Sequence, residues 1–375
     1  MASIRKRTWA TDGSRKKTAY IVDYVDNRGV RHRPQFTKWK EADLFRIEVE
    51  NELGRGTYRS DARTISISDA CNAFMSHCDG RYQRNEGMTR KTLVVYRGHI
   101  KNYIGHEQWG IGSMLLAQVS PKAIGEFRDR IRSAGTSVPT TRKVLTTLHA
   151  VLAYAISQDW VAVNAASGVR VIGTRDEGSR KVSVPSKDAV SAVLSIADPD
   201  LHLKLLFSLA TGVRAGEQWA IRWGDIDMTE GILGVRRRVD AYKEEGPPKS
   251  AAGVRDIPVS KVLVSELRKL RMASEFSSDK DLVFTNRYGR HVAHDNFIKR
   301  SFLPAFTNAG LVPFKWHALR HYAVSSWIEA GLPPKTIQTF AGHSSLQITM
   351  DRYGHLFPTD DHRRVMDQIA SSFEI

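Results

Sequence analysis

One stretch constrains how this chain can fold. Residues 173–186, GTRDEGSRKVSVPS, are polar, carry two glycines and a proline, and show no periodicity. Such a stretch offers no apolar face to bury and reads as a linker, placed at 173–185. A chain of 375 residues is too long for one ordinary domain in any case. The material on either side is therefore read separately.

Ahead of the linker two textures appear. In YIVDYVDNRGVRHRPQF, Tyr20, Val22 and Tyr24 alternate with Ile21, Asp23 and Val25 at strand period. Asp26-Asn27-Arg28-Gly29 supplies turn residues and Val30 to Phe36 a return strand. Trp39 to Leu53 then turns helical, with Ala42, Phe45, Val49 and Leu53 on one face and Gly54 as a stop. This predicts a three-stranded-sheet-plus-helix module over 1–62. From about 63 to 172 the pattern is all helical. Ile67, Ala70, Cys71, Phe74 and Cys78 share a face, Ser120 caps a run with Pro121 at its first position, and Thr140 opens another whose stripe is Val144, Leu148, Val151, Leu152 and Ala155. A bundle of four or five helices is the simplest arrangement. After the linker, 186–375 reads as mostly helical, with two strands, Ile232 to Val239 and Val254 to Val259, joined by a polar loop. The expected class is α+β, mainly α with small β elements.

Charge narrows the partners. The chain carries 56 Lys and Arg against 40 Asp and Glu, a formal net charge of +16. Residues 1–40 hold eleven basic and three acidic residues, so half of the excess lies there. A polyanion, most simply nucleic acid, fits that balance. In the sheet module Arg28, Arg31, Arg33 and Lys38 are candidate DNA contacts; in the helical block Arg90, Lys91, Arg97, Lys101, Arg142 and Lys143 lie off the apolar stripes. No run of eighteen apolar residues exists, so no membrane span is expected. The first residues lack the apolar core of a secretory signal. With Cys71 and Cys78 read as small buried residues, a reducing cytoplasm fits.

Three clusters in the last unit bear chemistry. In ATGVRAGEQWAIRWGDID, residues 210–227, Thr211-Gly212 breaks an apolar helix and Arg214 starts another, with Glu217 one turn on to hold the guanidinium. In HALRHYAVSSWIEAG, residues 317–331, His317 and Arg320 project from one helix face. AGHSSLQITMDRYGHLF, residues 341–357, contains His343 and Tyr353. Each alone is more often a surface pair or a packed aromatic than a site. Jointly, two guanidinium forks can grip a phosphodiester and offset charge that grows in the transition state. A phenol can attack phosphorus while a second group protonates the departing sugar oxygen. Lys249, in the loop between the two strands, is placed to be that acid. No cluster of carboxylates suggests two-metal hydrolysis. The expectation is no metal, no ATP and no other cofactor.

These clusters, with the lysine-bearing PPKSAAGVRDIPV, resemble the signature boxes of the tyrosine recombinase family, particularly integrases of phages and integrative elements, over most of residues 186–358. The resemblance implies that Arg214 and Arg320 clamp the phosphate and Lys249 is the general acid, with Lys243 in the same loop as its rival. It implies that His317 aids proton transfer from the nucleophile, His343 bonds the phosphate, Tyr353 is the nucleophile, and Glu217 supports. It casts 1–62 as an arm-type DNA-binding module, 63–172 as a helical core-binding domain of SAM-like type, and 186–375 as catalytic, a C-shaped clamp on duplex DNA. It further implies a homotetramer on double-stranded attachment sites, an excisionase-like directionality factor, a DNA-bending host protein, and a nucleoid-associated setting in a bacterial host. The tail from Pro358, with Val365, Met366, Ile369 and Phe373 near helical spacing, would dock on a neighbouring protomer. Competing readings are a non-catalytic DNA-binding regulator, a type IB topoisomerase-like relaxing enzyme, and a resolvase of chromosome dimers. The basic amino-terminal module and the complete residue set weigh against them.

Overall fold

The computed structural model describes residues 2–10, 16–173, 184–357 and 362–373, so most of the expected linker lies outside the described residues. Two compact units form, 1–179 and 180–375. Helix dominates both, with small antiparallel sheets.

In the first unit Ser3–Ala10 pairs with Lys16–Val25 along its whole length, Ser3 opposite Asp23 and Ala10 opposite Lys16. The alternation rule places only the later strands; Ser3–Ala10, crowded with Arg5, Lys6 and Arg7, has no apolar alternation to find. The return strand is split into Arg31–His32 and Gln35–Phe36. Pro34 cannot donate to a ladder, and its carbonyl instead accepts from the Val22 N–H at 3.0 Å. Asp26 Oδ1 closes the preceding turn by accepting from the Arg28 and Val30 N–H groups, both at 2.9 Å. With a side-chain period of two, Ile4, Tyr20, Val22 and Tyr24 face the helix Trp39–Gly54, against Ala42, Phe45, Val49 and Leu53. Arg5, Arg7 and Lys17 stand on the opposite, exposed face.

The helical block contains Ile67–Gln83, Arg90–His99 continuing through a π turn at Ile100–Ile104, Pro121–Ser133 and Val138–Ser157. All five residues expected on the face of the first helix, Cys71 and Cys78 included, are buried. Ser120 Oγ accepts from the Ala123 N–H at 3.2 Å, as a cap preceding Pro121 should. The last helix begins earlier than Thr140: Ser137 is its cap, accepting from the Thr140 N–H, and Pro139 sits in its first turn. Proline there loses no helical hydrogen bond, which is why the start moves back. Sheet module and bundle are joined within this unit at Asp159, whose carboxylate accepts from Arg28 and Arg59 at 2.5 Å each.

The second unit is built around Trp219, Trp223, Phe207, Phe302 and Leu319. Ile226–Asp227, Ile232–Val235 and Arg255–Pro258 make a three-stranded antiparallel sheet, Leu233 opposite Ile257. The single long hairpin expected from 232–239 and 254–259 is replaced by two pieces, because Arg238–Val239 turns away to pair with Glu245–Gly246. The break falls where Arg236 reaches Asp256 and the Arg255 carbonyl while Arg237 reaches Asp225. Helices Lys187–Ile196, Pro199–Thr211, Lys261–Ala273, His317–Glu329, Pro334–Ala341 and Leu346–Tyr353 make up much of the rest of the unit, and Pro334–Ala341 packs on the strand Arg255–Pro258. The tail forms a helix, His362–Ser371, with Met366 and Ile369 exposed on it and Phe373 exposed just beyond; the Val365 side chain is outside the described residues. Among the described residues no helix is long and apolar enough to cross a membrane.

Candidate active site

The three chemically loaded sequence clusters converge through backbone carbonyls. The helix Pro199–Thr211 ends at Gly212, whose φ of +59° lets the chain reverse. A side chain here would also drive a Cβ to 2.8 Å from the Trp327 ring. The freed Gly212 carbonyl accepts from Arg320 Nη1 at 2.7 Å, and Arg320 Nη2 donates to the Ala341 carbonyl. Arg320 is thereby locked with only 2% of its surface exposed. The helix Pro334–Ala341 ends in the same way at Gly342, φ +63°, where a Cβ would fall 2.9 Å from the Arg255 guanidinium. The Gly342 carbonyl accepts from Arg214 Nη2 at 3.0 Å. Each helix end thus presents an orphan carbonyl to an arginine from a distant part of the chain.

Glu217 holds the other side of the clamp. Its Oε1 accepts from Arg214 Nη1 at 2.8 Å, and its Oε2 accepts from the Arg214 N–H at 3.0 Å and from Arg255 Nη2 at 2.9 Å. The carboxylate is buried, which opposes charging, but Arg255 and Arg214 more than compensate and hold it below its ordinary range. Arg255, in the strand after the lysine loop, was not singled out from sequence. Its Nε donates to the Phe340 carbonyl at 2.7 Å and its Nη1 to the Gly253 carbonyl at 2.9 Å. It ties that strand to the first cluster and to the end of the helix that leads into the third. Its place in VRDIPV carried no signal beyond strand alternation.

Arg214, His317, Arg320 and His343 line one cavity of about 200 Å³, together with Ser250, Gly342, Ser344, Ile348 and Arg352. His343 is buried, and its Nδ1 pairs with Thr349 Oγ1 at 2.9 Å, which leaves Nε2 for a ligand. Burial and the Arg320 and Arg214 charges push His343 down to about 3. Desolvation followed by Arg320, Arg214 and Arg352 brings His317 to about 4, although part of its ring stays accessible. Burial, then Arg214, lowers Arg320 to about 9, so it remains charged at neutral pH. The cavity is therefore strongly cationic and its imidazoles are neutral, a setting that favours an anion of phosphate size. Arg352 has no signal in the sequence beyond its place beside Tyr353.

Tyr353 closes the helix Leu346–Tyr353 and has no exposed surface. It packs with Val324, Ile328, Ile337 and Ala341, and burial raises its hydroxyl above the ordinary phenol range. The hydroxyl bonds His321 Nδ1 at 2.5 Å. The expected proton partner, His317, stands one turn away with its ring 4.7 Å from that of His321, centroid to centroid. Lys249 is exposed in the loop following Pro247 and Pro248, immediately before the cavity-lining Ser250. Lys243 occupies a tight turn at φ +65°, its N–H bonded to the Asp240 carbonyl at 3.1 Å.

The candidate DNA contacts of the first unit are dispersed. Arg28 pairs with Asp61 and Asp159, Arg31 and Arg33 with Asp23, Lys38 with Glu41, and Arg97 with Asp79. Arg142 donates to the Val171 carbonyl at 3.1 Å. Arg90, Lys91, Lys101 and Lys143 are exposed.

Residues 186–359 match the model of the phage integrase family. The chain is 26% identical to a tyrosine recombinase XerC-like protein of Caldanaerobacter subterraneus, over 94% of this chain and 96% of that one. Its fold is similar to that of the Tn1549 transposon integrase in complex with transposon right end DNA, with a TM-score of 0.63 at 19% identity over 79% of this chain and 99% of the other. It is also similar to lambda integrase solved as a tetramer bound to a Holliday junction, with a TM-score of 0.56 at 18% identity over 90% and 92%. Residues 186–359 are thus a phage integrase domain, and the chain as a whole is similar to tyrosine recombinases and integrases. It is a site-specific DNA recombinase.

Proposed function

We propose that this recombinase cuts and rejoins attachment-site DNA through a 3′-phosphotyrosine bond at Tyr353, integrating and excising a mobile element. The observation that carries the reading is one cationic cavity lined by Arg214, Arg320, His317 and His343, with Tyr353 one histidine behind it. Arg320 and Arg214, held by carbonyls and Glu217, take the two non-bridging oxygens of the scissile phosphate. Their positions are set before DNA arrives, so little reorganisation is left for the transition state. His343 Nε2 adds a hydrogen bond to the same phosphate. Tyr353 Oη attacks phosphorus, the bond to the 5′ oxygen breaks, and Lys249 protonates that leaving oxygen. Lys249 is preferred to Lys243 because its neighbour Ser250 lines the cavity. Religation reverses these steps, with the 5′ hydroxyl attacking and the phenolate leaving.

The active assembly is a homotetramer on two duplex sites in the bacterial cytoplasm, at the nucleoid, with its direction set by an excisionase-like factor and a DNA-bending host protein. The exposed tail face, Met366, Ile369 and Phe373, docks on a neighbouring protomer. The helical unit 63–172 contacts core DNA through Arg90, Lys91, Arg97, Lys101, Arg142 and Lys143, and the module 1–62 contacts arm DNA. In that module the exposed sheet face bearing Arg5, Arg7 and Lys17, together with Arg31 and Arg33, is the contact surface, supported by Lys38. Arg28, engaged with Asp159, serves chiefly to join the module to the bundle.

The decisive test compares wild type with Tyr353→Phe on supercoiled plasmid carrying the DNA that flanks the gene. Wild type is expected to give a DNA-linked species that survives detergent and maps by mass spectrometry to Tyr353, and the variant to give none while still binding DNA. An equal adduct from the variant would remove Tyr353 as the nucleophile.

A further inference from the structure

An attacking phenol must lose its proton, and the geometry around Tyr353 is specific about where that proton can go. Among the described residues the hydroxyl makes one hydrogen bond, to His321 Nδ1 at 2.5 Å. Both groups sit in the packed region behind the cavity, Tyr353 wholly buried and His321 half-buried, with ring centroids 5.8 Å apart. His317, the residue to which the HALRH cluster first points, lines the cavity itself and meets His321 edge to face at 4.7 Å. The two histidines are four residues apart on the helix His317–Glu329, so they share a face, one turned to the phosphate cavity and the other to the phenol.

We propose that His321 is a catalytic residue of this recombinase, the group that positions Tyr353 and takes its proton during attack. The inference rests on Tyr353 being the nucleophile. In cleavage the Tyr353 O–H proton moves to His321 Nδ1, the Oη lone pair forms the bond to phosphorus, the P–O5′ bond breaks, and the 5′ oxygen takes a proton from Lys249. In religation the 5′ hydroxyl gives a proton back to Lys249, its oxygen bonds phosphorus, and the departing Tyr353 oxygen recovers its proton from His321. No oxidant, metal or external base enters.

The charge around His321 supports the role and adds a condition to it. Among the described residues the groups that face it are Tyr353, His317, Arg320 and Arg352, none of them a carboxylate. Burial first, then the neighbouring His317 and the Arg320 and Arg352 charges, depress the imidazole to about 4, so at neutral pH it is a neutral acceptor. A phosphate entering the cavity brings negative charge beside the same arginines and offsets their field. The imidazole becomes a stronger base when DNA is bound than when the cavity is empty. The base is thus matched to the moment of need: weak while the nucleophile is idle, stronger once there is a phosphate to attack.

The test uses full-length protein and the flanking-DNA plasmid, with the cleavage position mapped by wild type. A synthetic duplex then carries a bridging 5′ sulfur at that position, a leaving group that needs no general acid. His321→Ala and His321→Asn are measured for DNA affinity and for the rate of covalent adduct formation. The asparagine keeps a polar atom near Nδ1 and guards against a loss that is merely a folding defect, but it cannot hold a proton. Both variants are expected to bind DNA as wild type does and to form adduct about 10²–10⁴-fold more slowly, the usual range for a lost acid or base. The bridging sulfur is expected to restore Lys249→Ala but neither His321 variant, and added imidazole to restore His321→Ala in part. The proposal is overturned if His321→Asn cleaves at the wild-type rate, which would leave only a positioning bond. It is equally overturned if His321→Ala cleaves faster than wild type, which would make the contact a restraint on Tyr353, or if the sulfur substrate restores the His321 variants. No adduct from wild type itself would instead remove Tyr353 as nucleophile, and this inference with it.

Discussion

Many arginines in the amino-terminal unit find carboxylates, and those that donate to carbonyls instead, such as Arg130 and Arg142, lie at its surface. Arg28 meets Asp61 and Asp159, Arg31 and Arg33 share Asp23, Arg63 reaches Glu48 and Glu52, and Arg97 holds Asp79. Around the cavity of the second unit the reverse holds. Arg214 and Arg255 share one carboxylate, Glu217, while among the described residues Arg320 is held by carbonyl oxygens. A carbonyl fixes a guanidinium without cancelling its charge; a carboxylate does both. A site for a phosphodiester needs cations that are rigid and still uncompensated, and the difference in partners marks the second unit as that site more sharply than any count of basic residues.

The comparison can be broken most forcefully at Arg320. Arg320→Ala removes a buried, carbonyl-locked cation, and adduct formation is expected to fall by at least about 10²–10³-fold, the cost of removing one preorganised transition-state donor. Retention of near-normal cleavage in a gel assay of adduct formation would mean that the locked arginine is structural. Next comes the one shared carboxylate. Glu217→Gln leaves the Arg255 charge buried without its counter-ion, and unfolding free energy at neutral pH should drop by about 3–5 kcal/mol. Because the folded protein holds the Glu217 carboxyl below its ordinary range, its stabilisation is present above that range and lost as pH falls through the lowered one. Denaturant melts of wild type and variant should therefore converge in acid; a gap that persists at low pH would contradict this assignment. The smallest effect sharpens the first unit. Removing the exposed cations Arg5 and Arg7 together should flatten the slope of log affinity against log salt by about 2, near 0.9 per phosphate contact. Arg28→Gln, which breaks contacts to Asp61 and Asp159, should leave that slope unchanged. An equal change from both variants would show that the contacts to Asp61 and Asp159 do not keep Arg28 from DNA.

Much of the site could be read from order and spacing. Arg214 with Glu217, and His317 with Arg320, are pairs whose helical separation alone puts them on one face; Arg214, His317 and Arg320 line the cavity, and Glu217 holds Arg214 there. Arg255 escaped notice because an arginine in a short strand has no local signature; its meaning lies in contacts to Glu217 and the Phe340 carbonyl, 38 and 85 residues away. His321 escaped for a related reason. It lies one residue beyond the Arg320 that drew attention, and only packing decides which histidine of HALRH reaches the phenol. The missed strand Ser3–Ala10 shows a third limit: its pairing with Lys16–Val25 supplies the order that its own charged sequence lacks.

Sequence alone determined the chemical inventory, the helices whose apolar faces repeat at 3.6 residues, the caps at Ser120 and Gly212, and the resemblance to the tyrosine recombinases. Those are local or compositional properties, written in neighbours along the chain. The tertiary structure decided which cations stay uncompensated, which histidine holds the nucleophile, and that two helix ends present their carbonyls to arginines more than twenty residues away. Hydrogen bonding and charge compensation depend on distances in space, and the chain brings those partners within 3 Å only when its cores have packed.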